Sequence, residues 1–204
     1  MAQLVRENII KGTIRPGTQL RIAALAEQLG TSQGSIREAI RVLAGEGLVA
    51  HQLNRGAFVR DFSASDSLDV YLAREAIETW AVARLAARHD ELDFSAIQQA
   101  LDSMAGEATE GEIMIADLAF HHEIVKLAGS DRLVEMHANL IAESEVLLRM
   151  YRPFPKASYH PIHSEILEAI KSGEDTAVEL IRHHLRSSSQ LIRSKQMSSA
   201  DTND

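Results

Sequence analysis

A mainly α fold in two parts is expected from three observations. Apolar residues recur at helical spacing through most of the chain, strand-like runs occur only at LVAHQ and GAFVR, and charge divides near residue 62. The first part reads as helix, helix, tight turn, helix, two-stranded hairpin, the order of a winged helix-turn-helix. The second shows no strand signal and reads as an antiparallel all-helical bundle.

Residues 3–11 form a short helix ended by Gly12, and Pro16-Gly17 marks a turn. IAALAEQLG is a second helix, with Leu25, Ala26 and Leu29 on one face and Gly30 as its stop. Thr31 or Ser32 caps a third, Gln33–Glu46, whose Ile36, Ala39, Ile40 and Leu43 recur at helical spacing. LVAHQ and GAFVR are strands around the turn Asn54-Arg55-Gly56. The small polar residues around 61–67 suggest a boundary, giving a head at 1–62 and a linker at 63–67. The body is expected at 68–195, with a flexible tail at 196–204. Body helices are expected at 66–89, 93–108, 111–128, 131–151, 157–172 and 174–195, punctuated by Gly129, Pro153, Pro155 and Gly173.

The net charge of −8 conceals an asymmetry. Residues 1–62 hold eight Lys/Arg against five Asp/Glu, a net of +3, and residues 63–204 hold thirteen against twenty-four, a net of −11. Eight of the nine histidines lie after residue 62. The absence of cysteine excludes disulfides and thiolate metal sites. No apolar run approaches the roughly 20 residues of a membrane span. No secretory leader is recognisable, so a cytoplasmic protein is expected, without a membrane partner.

The third helix presents an apolar face to the core and a polar face bearing Gln33, Ser35, Arg37 and Arg41. Arg37 and Arg41, one turn apart, project from one side, as a helix lying in the DNA major groove requires. Arginine there bonds guanine bidentately or neutralises phosphate. Arg55-Gly56, at the hairpin tip, suits the minor groove or the backbone. The plainer alternative is a three-helix domain with surface arginines.

IIKGTIRPGTQLRIAALAEQLGTSQGSIREAIRVLAGEGLVAHQLNRGAFV resembles the GntR superfamily of bacterial regulators. The resemblance lies in PG..L, LAEQLG.S, REA, L..EGLV and RGAFV. It implies sequence-specific binding to a pseudo-palindromic double-stranded operator, as a homodimer and more often as a repressor. Arg37 and Arg41 match the family's DNA-contacting arginines. Gln33 stands where another arginine is usual, and Ser35-Ile36 where Pro-Val is usual. An operator unlike the family's commonest one is expected, since Gln can read adenine.

VYLAREAIETWAVARLAA, DLAFHHEIVKLAGS and HSEILEAIKSGEDTAVELIRHHL resemble the FCD ligand-binding domain of the FadR subfamily, in its six-helix, VanR-like form. Ser130 stands where Asn is common. A small organic acid as effector, held by a metal and an arginine, is implied.

The histidine pattern leads to the same region. Asp117 and His121, four apart, share a helix face. His163 shares one with Ile166, Leu167 and Ile170. His184 aligns with Ala177, Ile181 and Leu191, an inward stripe, whereas His183 aligns with Thr176, Glu179, Ser187 and Gln190, a solvated one. A single such histidine is usually a core or surface residue. Four inward candidates at positions where the FCD domain places ligands point to a divalent transition metal, zinc foremost, with nickel, manganese or iron compatible. His122 competes with His121, and the family's Phe-His pair selects His121. His51, His89, His137 and His160 read as structural or exposed. Arg74, on an apolar face, needs a carboxylate, supplied by Glu78 or by an anionic effector. Arg149 is a weaker candidate for the effector. Two other readings remain at this stage: a metalloenzyme with a DNA-binding head, disfavoured because no inward general base accompanies the ligands, and a ligand-independent DNA binder with a structural metal.

Overall fold

The computed structural model describes residues 1–151 and 155–200, which divide into a unit at Met1–Ser63 and a unit from Ala64 onward. The first unit begins with α1 (Ala2–Ile10), α2 (Ile22–Gln28) and α3 (Gln33–Gly45). The hairpin β1 (Val49–Gln52) and β2 (Gly56–Val59) follows. Both α1 and α2 pack on α3. The stripe Ile36, Ala39, Ile40 and Leu43 is fully buried and meets a core that includes Val5, Ile9, Leu20 and Leu25. Leu48, Val49 and Val59 are buried in the same unit. Removing this apolar surface from water is what a helix with one apolar stripe requires.

Ser32 caps α3, accepting from the Ser35 amide at 3.1 Å and satisfying one of the donors a helix start leaves open. The strands pair antiparallel with Val49 opposite Val59 and Gln52 opposite Gly56. Asn54 and Gly56 carry positive φ angles of 60° and 94°, which the tight reversal demands. Gln19 forms a further antiparallel bridge with Phe58, tying the loop after α1 to the wing.

The second unit contains α4 (Ala64–Ala86), α5 (Ser95–Asp102), α6 (Glu110–Leu127), α7 (Asp131–Tyr151), α8 (Tyr159–Lys171) and α9 (Ala177–Ala200). Short 3-10 turns lie at His89–Glu91 and Lys156–Ser158. Helix α4 lies along α9 and also packs on α6, α7 and α8, while α6 packs on α5 and α7. A capping box fixes the start of α6: Thr109 accepts from the Glu112 amide, and Glu112 accepts from the Thr109 amide at 2.7 Å. Thr109→Ala is expected to destabilise the body by about 1 kcal/mol, read as a lowered thermal midpoint with an unchanged circular dichroism spectrum.

Four expectations are corrected. Residues 64–67, expected in a linker, are the first turn of α4. Asp66 there is an acidic first-turn residue favourable to the helix dipole rather than a loop signal. The helix expected at 93–108 ends at Asp102, where Ser103 Oγ bonds back to the Gln99 carbonyl at 2.8 Å, and Gly106 takes a φ of 73°. Residues 196–200, expected as tail, continue α9, whose Gln196 donates to Ser67 Oγ at 2.8 Å. Residues 201–204 of that tail, with Pro153, lie outside the described residues. Finally, Leu191 is on the exposed side of α9. The inward stripe runs from Ala177, Ile181 and His184 to Ser188 and Ile192, because a 3.6-residue period drifts over four turns.

Candidate DNA-reading face and candidate metal centre

On α3, Gln33, Arg37 and Arg41 are exposed and Ser35 is partly so, on the side opposite the buried stripe. Arg37 Nη2 donates to Gln33 Oε1 at 3.3 Å. Arg41 is held by Glu38 at 2.6 Å, an exposed pair of the kind that water and salt weaken readily. Both guanidiniums therefore stay available to a polyanion. At the wing, Arg55 lies with its Cζ 5.2 Å from the Phe58 ring centroid, and its carbonyl accepts from Gln19 Nε2 at 2.6 Å. Arg55 and Gly56 are both exposed.

In the body, Asp117 and His121 from α6, His163 from α8 and His184 from α9 are all buried. One ligand atom from each lies within 4.8 Å of all the others. His121 Nε2 is 3.2 Å from His184 Nε2 and 3.3 Å from His163 Nε2. Asp117 Oδ1 is 2.9 Å from His163 Nε2 and 3.9 Å from His121 Nε2. Bonds of about 2.0–2.1 Å to a tetrahedral ion put its ligand atoms roughly 3.3 Å apart, so the four residues fit a zinc-like cation.

The outer hydrogen bonds strengthen the fit. His121 donates its Nδ1–H to Glu78 Oε2 at 2.6 Å, and His163 donates its Nδ1–H to the Tyr159 carbonyl at 2.7 Å. In neutral rings both Nε2 atoms then carry lone pairs, and these face each other at 3.3 Å with no proton between them. A cation resolves that repulsion. Phe120 closes one side, its ring edge-to-face with His121 and His163 at 5.7 and 4.9 Å.

Burial pushes His184 well below the usual histidine range, and His163 and His121 add to the effect. Burial also lowers His121, outweighing the pull of Glu78. For Asp117 burial opposes the charge, but the hydrogen bond and charge of His163, with His121 and His184, hold its carboxyl well below the usual range. Burial thus disfavours the charged forms of His121 and His184, and the neutral ring is the form that a metal binds.

Arg74 and Glu78, one turn apart on α4, form a fully buried pair at 2.7 Å. Arg74 Nη1 also donates to Ser144 on α7 at 3.3 Å, while its Nη2 is buried with no acceptor among the described residues. Burial disfavours the Glu78 carboxylate, yet Arg74, then His121 and His137, hold it well below the usual range. Arg149 pairs with Glu145 on α7 at 2.8 Å. His122 is half-buried and stands outside the cluster. His137, expected to be structural or exposed, is fully buried and donates from Nε2 to Glu78 Oε1 at 2.9 Å. Its place on the buried side of α7 with Ser144 and Leu148, at helical spacing, was the signal that could have singled it out.

A winged helix-turn-helix with solvent-facing arginines on its second helix, followed by a helical body, defines the DNA-binding transcription regulators. The chain belongs among the bacterial regulatory proteins of the gntR family, whose description matches residues 1–59, and carries an FCD domain at residues 69–187. It is 28% identical over 194 residues to a D-xylose utilization operon transcriptional repressor of Paenarthrobacter nicotinovorans, covering 91% of this chain and 85% of that one. To the gluconate operon transcriptional repressor of Bacillus licheniformis it is 32% identical over 182 residues, covering 83% and 74%. A solved GntR transcriptional regulator from Rhodococcus sp. RHA1 superposes with a TM-score of 0.74 at 28% identity, covering 94% of each chain. Each of the three is named as a regulator of transcription. Among the described residues, no helix is long and apolar enough to cross a membrane.

Proposed function

We propose that this chain is a cytoplasmic transcriptional repressor that binds a pseudo-palindromic operator as a homodimer. Its operator affinity is controlled by a small organic acid bound beside a divalent metal. The observation that carries this reading is the convergence of three imidazole nitrogens and one carboxylate oxygen inside the bundle. Asp117, His121, His163 and His184 hold the metal, zinc first, with nickel, manganese or iron as the other ions such a set suits. When bound, the metal supplies a Lewis-acidic point of attachment for a carboxylate. Arg74 offers that carboxylate its buried Nη2. Arg149 would have to release Glu145 to join it.

Gln33, Ser35, Arg37 and Arg41 read the major groove, and Arg55 and Gly56 reach the backbone or minor groove. Twofold symmetry of the dimer matches twofold symmetry of the operator. The acid biases the population of operator-competent dimers, and its differential affinity for the two states sets the size of the response. Relatives named as repressors favour repression as the sign.

Elemental analysis of the purified chain should find about one metal per chain, the one-site stoichiometry of a structural or effector ion. Operator binding should then weaken about 5- to 150-fold with one member of a panel of small carboxylates. Operator binding that ignores every acid and changes only on chelation would instead make the metal a staple of the bundle.

A further inference from the structure

Several basic side chains of the head are held by carboxylates. Arg6 pairs with Glu46, Lys11 with Glu7 and Arg41 with Glu38. Among the described residues, no carboxylate pairs with Arg15, Arg21, Arg37 or Arg55. Arg37 and Arg55 belong to the reading helix and the wing. Arg21 belongs to neither, and the fold brings it to the wing by a separate route.

The loop before α2 runs antiparallel to β2. Val59 donates its amide to the Thr18 carbonyl at 2.9 Å, Gln19 is bridged to Phe58, and Leu20 donates its amide to the Ala57 carbonyl at 2.8 Å. Arg21 keeps an extended backbone, with φ −78° and ψ 108°. Carrying the register on by one residue sets Arg21 level with Gly56 at the wing tip, whereas Arg15 precedes the other end of the paired stretch. The Gln19 side chain joins the two arginines. Its Oε1 accepts from Arg21 Nε at 3.2 Å, and its Nε2 donates to the Arg55 carbonyl at 2.6 Å. Arg21 and Arg55 are both exposed. With Nε turned to Gln19, both Nη groups of Arg21 remain for an anion, in the planar fork that matches a phosphate.

In a helix-turn-helix the helix before the recognition helix crosses the DNA backbone. Arg21 stands at the start of that helix, α2, and level with the wing tip. We propose that Arg21 binds a phosphate of the DNA backbone, side by side with Arg55 on the wing. This rests on the reading of the wing as a DNA contact and adds a residue from outside the wing and the reading helix. Its ligand is a phosphodiester, so it fixes register and adds affinity without choosing a base. The Arg21 side chain makes no capping bond to α2, so replacing it removes no cap.

The test is fluorescence anisotropy of the full chain on a duplex that the wild type selects from a random-sequence pool, titrated between about 50 and 200 mM salt. Each phosphate contact adds about 0.9 to the steepness of log K against log salt, so Arg21→Gln, acting in both heads of a dimer, should make the slope shallower by about 1.8. Its affinity deficit should be largest at the lowest salt and shrink about tenfold across that range. Arg21→Lys keeps the charge and should restore most of the slope. Arg55→Gln should flatten the slope as Arg21→Gln does. Arg15→Gln, the same charge change away from the wing tip, should leave it at the wild-type value. A slope unchanged in R21Q but flattened in R55Q overturns the proposal and leaves the wing reading standing. A slope unchanged in both overturns the two together. A slope flattened in R21Q alone keeps Arg21 on a phosphate and overturns the wing reading. An R15Q slope as flat as that of R21Q assigns the effect to net charge and overturns the proposal, and so does an R21K protein that stays as flat as R21Q.

Discussion

Arg37→Ala should weaken operator binding by roughly 30-fold or more while leaving metal content and thermal stability unchanged. The side chain is exposed on the face of α3 opposite Ile36 and Ile40, so its loss opens no cavity, and surface changes of this kind stay within about 0.5 kcal/mol. A bidentate guanine contact is worth about 1–3 kcal/mol, and a symmetric dimer loses it twice. The combined loss is about 2–6 kcal/mol, or roughly 30-fold to more than 10⁴-fold in affinity. A gel-shift or anisotropy titration at fixed salt reads it, since phosphate contacts make such affinities steeply salt-dependent. A variant that binds operator normally would mean that α3 is not the reading helix.

His184→Ala should strip most of the metal, whereas its neighbour change His183→Ala should leave metal content at the wild-type level. His184 is buried, with its ring stacked on His121 at 5.1 Å and edge-to-face with His163 at 4.6 Å. His183 is exposed. Changes to groups that merely support a ligand already cost 10- to 100-fold in metal affinity, and removing a ligand from a set of four should cost more. Elemental analysis after dialysis against a weak chelator separates the two variants. The reverse pattern would show that His183, not His184, faces the bundle interior.

Much of this was legible residue by residue. Ile36, Ala39, Ile40 and Leu43 announce both a helix and its buried face, so the opposite face with Arg37 and Arg41 follows. Asp117 and His121 are one helical turn apart, and His184 differs from His183 in the company it keeps at helical spacing. Where those cues were stretched, they failed. Extending the α9 stripe over four turns puts Leu191 inward although it is exposed, and the small polar residues at 64–67 suit a linker as well as the helix start they form.

Helix positions, the exposed side of α3 and the inward direction of His163 and His184 follow from short-range rules, since a helix fixes which neighbours share a face, whereas His121 over His122 follows from the family resemblance. The choice of partners across helices was settled only by packing. Glu78 meets His121 across 43 positions and His137 across 59. Those meetings depend on how far α4, α6 and α7 are rotated and slid against one another. Side-chain volumes throughout the core set these offsets jointly, and no periodic pattern in the chain records them. Hence Arg74 could be read from sequence as needing a carboxylate, and Glu78 named as one choice. That the same carboxylate also holds a histidine of the candidate metal cluster emerges only from the packed bundle.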